Sequence, residues 1–163
     1  SMSKEKLPVT PATRLLHKHN VDFSGHLYPY EEHGGTAHSA VCLDVDEHSV
    51  IKTLIMEDER RQPLIVLMHG DRKVSTRTLA RLLDVKTINP CDPAVANKHS
   101  GYLVGGTSPF GTRKPMPVYM EASILELPQI YINGGKRGFL VGLPPTEVQR
   151  LLQPTLVTVA IED

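Results

Sequence analysis

The chain's clearest hydrophobic pattern runs from Val50 to Met56. On a period of two, Val50, Lys52, Leu54 and Met56 share one face, and Ile51, Thr53 and Ile55 share the other. A strand is predicted there, with Lys52 among apolar neighbours. Arg60 to Pro63 makes a turn. The unbroken run Leu64–Met68 then predicts a buried strand paired with the first. Helical spacing follows: Ser75 or Thr76 caps a helix to Leu83, with Leu79, Leu82 and Leu83 inward and Arg77 and Arg81 outward. Two further helices open on turn chemistry, at Thr10-Pro11 with Asn20 as its end, and at Pro144-Pro145 with Val148, Leu151 and Leu152 inward.

Weaker patterns fill the rest. His26–Tyr30 reads as a short strand with Pro29 at an edge or end. Thr36 caps a helix to Leu43, Asp46 caps the turn before Val50, and Asp92-Pro93 begins a helical turn to Lys98. Short strands are predicted at Val85–Ile88, Pro117–Met120, Gln129–Ile132, Phe139–Leu143 and Thr155–Ile161. Hairpin-spaced strands interrupted by helices predict an α+β fold. Its expected form is one domain over residues 1–163, a curved, partly closed mixed β-sheet flanked by helices, with a flexible stretch at 1–9.

Composition changes this picture little. The 163 residues are 40% hydrophobic and 22% charged, ordinary for a globular domain. No apolar run spans a bilayer and no apolar signal core opens the chain, so the expectation is a cytoplasmic protein without a membrane partner. Two cysteines, Cys42 and Cys91, support neither a disulfide framework nor a zinc ribbon. Net charge is zero but unevenly spread: residues 20–59 carry nine acids and one base, residues 60–100 eight bases and three acids. That balance argues against a duplex-DNA binder, yet leaves room for a local basic face that docks one end of an RNA.

The candidate chemistry sits in three places. Lys52 is an ammonium on an apolar strand face, able to hold a phosphate or polarise a carbonyl, or else a snorkelling edge lysine. Gly101-Tyr-Leu-Val-Gly-Gly-Thr-Ser-Pro-Phe-Gly111 packs four glycines, a proline and two hydroxyls into a run that suits no helix or central strand. Its amides are free for an anion or a carbonyl oxygen, but Thr112-Arg113 stand where a nucleotide P-loop needs Lys-Ser/Thr. Asn133-Gly-Gly-Lys-Arg-Gly138 is a second such turn, also beside cations. Tyr30 and Tyr102 offer hydroxyls or stacking faces. The eight histidines show no ligand spacing, so neither a metal nor a cofactor is expected. No Gly-x-Ser-x-Gly elbow occurs, and Cys91 is either an activated thiol or a small buried residue.

Thr10-Pro-Ala12, Val50-Ile-Lys-Thr-Leu54, the Gly101–Gly111 stretch and Tyr131-Ile-Asn-Gly-Gly-Lys-Arg-Gly138 together resemble the YbaK/EbsC family, in order and spacing over nearly the whole chain. These are free-standing bacterial aminoacyl-tRNA deacylases related to the editing domain of prolyl-tRNA synthetase. The resemblance implies hydrolysis of misacylated tRNA, most often Cys-tRNA(Pro), or Ala-tRNA(Pro) in a sister branch, with prolyl-tRNA synthetase a candidate partner. It implies that the cysteine substrate's own thiol attacks the ester. Residue by residue it places the essential lysine on Lys52 and the glycine facing the aminoacyl end on Gly105. Substrate contacts fall on Tyr30, Thr53 and Tyr102, and on Gly106, Thr107, Ser108, Gly134 and Gly135 of the two glycine turns. One departure stands out: relatives often carry aspartate where this chain has Leu140. A non-catalytic binding module and a phosphate sensor are the rival readings.

Overall fold

The computed structural model describes residues 6–163. Ser1–Glu5, part of the expected flexible stretch, lie outside the described residues, whereas Leu7 already packs on the core. Thr10 caps α1 (Pro11–Lys18) reciprocally with Thr13, and Asn20 follows the helix end in the left-handed region, φ 54°. β1 (Ser24–Leu27) ends before Pro29, because a proline there has no N–H to donate to the neighbouring strand. α2 (Gly35–Leu43) follows. Its N-cap is Gly34, not Thr36: the Thr36 hydroxyl lies within the helix and instead meets Glu47 Oε2 at 2.7 Å and the Gly70 carbonyl at 3.2 Å. Asp46 caps a 3-10 turn as expected, accepting the His48 N–H.

β2 (Val50–Asp58) and β3 (Pro63–His69) pair antiparallel from Ile51↔His69 to Glu57↔Pro63. The run in β3 is unbroken because both its faces are covered. Ile65 and Leu67 join the larger core with α1 and α5, while Leu64, Val66 and Met68 join a second core with Leu79. β4 (Arg72–Val74), unseen in the sequence, leads to α3 (Thr76–Leu82), capped by Ser75. Leu79 is fully buried and Leu83, four residues on, packs against the same core, but Leu82 is 58% exposed, since it lies about 100° round the helix from Leu83. β5 (Ile88–Pro90) is shifted towards the C-terminus of its predicted span, and α4 (Pro93–Ser100) follows.

After the glycine stretch come β6 (Val118–Glu121), β7 (Ile130–Lys136), β8 (Phe139–Leu143) and α5 (Pro145–Leu152). The predicted last strand is two: β9 (Thr155–Val157) and β10 (Ala160–Glu162). The break is fixed by buried Glu121, whose carboxylate accepts the N–H groups of Val159 and Ala160 at 2.8 and 3.1 Å. β9 stays with the main sheet, while β10 pairs with β4 in a separate ribbon.

The main sheet runs β1-β8-β7-β2-β3-β6-β9, with β5 also on β2. It is mixed: β2/β7, β3/β6 and β6/β9 are parallel and the other pairs antiparallel. Its end strands do not pair, so it is not a closed barrel. Among the described residues no helix is long and apolar enough to cross a membrane.

Candidate functional site

β3 covers one edge of β2 along most of its length. The other edge is shared. β7 pairs there only at Val50 and Ile51, β5 pairs only at Met56 to Asp58, and the Cys91 N–H reaches the Ile55 carbonyl at 3.0 Å. Lys52, Thr53 and Leu54 therefore have a ladder partner on β3 alone. A cavity of about 480 Å³ lies at this gap. Its walls come from β2, the segment from Tyr28 into α2, the glycine stretch, the β7–β8 turn, and Cys91 with Ala96.

Five of the sequence-predicted residues line it: Lys52, Thr53, Tyr30, Gly105 and Thr107. Lys52 is half-buried, and its ammonium donates to the Arg72 carbonyl on β4. Burial pushes the Lys52 ammonium below the ordinary lysine range, against the opposing pull of the Asp163, Glu47 and Asp71 carboxylates. Among the described residues the Thr53 hydroxyl is buried with no hydrogen-bond partner. An unmatched buried hydroxyl costs on the order of 1–3 kcal/mol, so a site that keeps one has a use for it.

Gly105 adopts φ 90° under the Tyr30 ring, where an added Cβ would stand 2.5 Å from the Tyr30 hydroxyl. Only glycine suits both that conformation and that approach. Arg137 holds the arrangement: its guanidinium lies 5.3 Å from the Tyr30 ring centre, and its Nε donates to the Val104 carbonyl at 2.9 Å. Asn133 ties the two glycine turns together. Its Nδ2 donates to the Gly105 carbonyl at 3.2 Å, and its Oδ1 accepts from Gly135 and Lys136 N–H at 2.7 and 3.1 Å. In the sequence, Asn133 and Arg137 read only as parts of a turn. The Asn-Gly-Gly run was the available signal, since an asparagine before glycines commonly braces its own turn.

The other five expected contacts stand behind the cavity wall. Tyr102 is 4% exposed in the main core, its hydroxyl donating to the Phe110 carbonyl at 2.6 Å. Burial pushes that phenol up to about 12. Tyr102 therefore shapes the glycine stretch from within, because its ring is worth more buried than exposed. Ser108 is fully buried and accepts the Phe110 N–H. Gly106 lies against the backbone of Lys136 and Arg137, Gly134 against the Phe139 ring, and Gly135 against Tyr102 and Thr10. All three let chain segments approach where a side chain would collide.

Leu140, at the position where an aspartate was the alternative, is 4% exposed and packs with Ala40 and Val50. This wall of the cavity is apolar. Cys91 also lines the cavity, but burial, with Glu57 adding to it, pushes its thiol up to about 11. The thiol is neutral near pH 7 and is no nucleophile there.

Among the described residues one side-chain cluster has donors close enough to share a metal ion: His48, His69 and Asp71. Their arrangement suits packing better. His69 donates from Nδ1 to the His48 carbonyl and accepts the Ser123 hydroxyl at Nε2, each at 2.7 Å. The two rings stack 3.7 Å apart at 6°, so their in-plane lone pairs run parallel and do not converge.

Comparison with known proteins adds four findings. A family model described as an aminoacyl-tRNA editing domain matches residues 32–151. A protein of Enterococcus faecalis, provisionally named as the Cys-tRNA(Pro)/Cys-tRNA(Cys) deacylase EbsC, is 26% identical over 92% of this chain and 93% of its own length. The proline–tRNA ligase of Levilactobacillus brevis is 26% identical over 60% of this chain but only 17% of the ligase. In fold, a crystal structure provisionally described as a trans-editing enzyme for prolyl-tRNA synthetase superposes with a TM-score of 0.81 at 18% identity, covering 94% of this chain and 99% of that one.

Proposed function

The chain belongs to the aminoacyl-tRNA editing domain family, and from that premise we propose that it hydrolyses the aminoacyl ester of misacylated tRNA, with Cys-tRNA(Pro) as its main substrate. The observation that carries the reading is the gap in β2, where Lys52, Thr53 and the Gly105 turn line one cavity. An aminoacyl ester is already activated, so positioning and charge stabilisation suffice. Lys52 anchors the terminal ribose and phosphate. The Gly105 turn presents backbone to the developing oxyanion, and Thr53 and Tyr30 give hydroxyls to the aminoacyl end. For a cysteinyl ester, the substrate sulfur attacks the carbonyl carbon, the bond to the ribose oxygen breaks with the thiol proton ending on that oxygen, and the cyclic thioester that leaves is opened by water to free cysteine. The neutral Cys91 thiol takes no part, and no cofactor enters.

The chemistry belongs where tRNA is charged, which for this reading is the cytoplasm. The enzyme whose errors it clears is prolyl-tRNA synthetase; the likeness to a segment of a proline–tRNA ligase supports that link. Discrimination between small side chains by one pocket is limited to about 1–3 kcal/mol per methylene, which gives a second sieve its purpose. The apolar wall of Val50 and Leu140 suits an alanyl group as well, so Ala-tRNA(Pro) is the second substrate reading.

The test is deacylation of Cys-, Ala- and Ser-tRNA(Pro) by the wild type and Lys52→Ala. Turnover of one substrate, lost in Lys52→Ala, is the expected result. A folded wild type that turns over none of the three would overturn the reading.

A further inference from the structure

A second depression, of about 550 Å³, lies between α3 and β5. Arg77 and Arg81, at i and i+4, stand exposed on its helix side, and Lys86 stands exposed on its other side. One carboxylate, Asp84, shares the groove. Three further acids stand at the end of β2: Glu57 is the register partner of Asn89, while Glu59 and Asp58 are held by backbone N–H groups. Glu59 accepts the Lys86 and Thr87 N–H groups at 3.0 and 3.3 Å, and Asp58 accepts those of Arg60 and Gln62 at 2.8 and 3.0 Å. Arg60 and Arg61 extend the basic strip on that turn. Among the described residues, none of these five cations forms an ion pair.

The groove and the cavity adjoin along β5. Ile88 and Asn89 of β5 line the groove, and the next two residues, Pro90 and Cys91, line the catalytic cavity. Those four residues span roughly 10 Å of extended chain. The opposite rim of the cavity carries Glu31 and Glu32, both exposed. Field and geometry therefore favour one approach for a polyanion: over α3 and β5, away from the acidic rim.

We propose that the α3–β5 groove holds backbone phosphates of the RNA whose 3′ end enters the cavity. The proposal rests on the deacylase reading for what occupies the cavity, but the groove itself can be tested without turnover. An RNA fits better than an acidic protein partner, because only a ligand continuous with the ester needs a basic track that ends at the cavity mouth. Unpaired arginines one helical turn apart are suited to successive phosphates.

The experiment uses the full chain and two double variants. R77Q/R81Q removes two groove cations, and R14Q/K18Q removes the same charge from α1. Deacylation of aminoacyl-tRNA is compared with that of the same amino acid esterified to adenosine. Binding of uncharged tRNA is measured from about 50 to 200 mM salt. The expected result for R77Q/R81Q is a KM for aminoacyl-tRNA raised roughly tenfold, kcat unchanged, and adenosine-ester kinetics unchanged. Its log-log salt slope for tRNA binding becomes shallower by about 2, while R14Q/K18Q behaves as wild type. An unchanged slope and KM, an equal loss on the adenosine ester, or an equal loss in R14Q/K18Q would each overturn the groove assignment. If neither substrate turns over, the deacylase reading fails by itself, and the salt slope still decides the groove.

Discussion

The two edges of β2 are made from the same residues and do opposite things. Towards β3 the ladder is continuous, and β3 is buried along its whole length. Towards β7 and β5 it is interrupted at Lys52–Leu54, and the interruption holds a cavity, an unmatched hydroxyl and a half-buried lysine. One edge carries stability and the other gives some up. A site of this kind comes from where neighbouring strands stop, not from an unusual strand.

The largest effect belongs to the open edge. Lys52→Ala should lower single-turnover deacylation by about two to three orders of magnitude with little change in melting temperature, since the side chain is half solvated. On the closed edge, Leu67→Ala removes a fully buried side chain and should cost about 2–5 kcal/mol in urea unfolding, while turnover per folded molecule stays near wild type. Comparable losses of activity in both would erase the distinction between the edges. Thr53→Val sharpens it: replacing the unpartnered hydroxyl with a methyl should stabilise the fold by about 1 kcal/mol and reduce kcat/KM several-fold. A variant that lost stability would mean the hydroxyl has a partner after all.

The smallest effect is a pH dependence. Burial lowers the Lys52 value, so the cation is lost at a lower pH than an ordinary lysine's. Activity corrected for spontaneous ester hydrolysis should fall on the alkaline side, beginning below the usual lysine range. Lys52→Arg should remove that fall, because arginine stays charged. A profile that is the same in both proteins would assign the fall to another group.

Much of the closed edge was legible in the sequence. The alternation from Val50, the unbroken run to Met68 and the caps at Thr10 and Ser75 are local signals, and the structure keeps them. The open edge was legible in its residues but not its shape. Lys52 and the glycine stretch stand out as residue types, and the family resemblance adds Thr53 and Gly105, yet nothing local says that β7 pairs with β2 only as far as Ile51 and β5 only from Met56. Tyr102 shows the same limit: a tyrosine among glycines reads alike whether its hydroxyl faces a ligand or, as here, the Phe110 carbonyl. The split of the last strand depended on Glu121, distant in sequence, and no periodicity within Thr155–Ile161 could reveal it.

The hook that holds Lys52 is the main-chain carbonyl of Arg72, not a side chain. Any residue at 72 supplies the same oxygen, so replacing the Arg72 side chain removes its ion pair with Asp71 but not the hook. What must be kept is the course of β4, which pairs with β10 through Arg72↔Glu162, Lys73↔Ile161 and Val74↔Ala160. Backbone-directed changes, such as a proline placed in β10, are the ones that would expose this support. The lysine's support is thus carried by the backbone of a ribbon completed near the end of the chain.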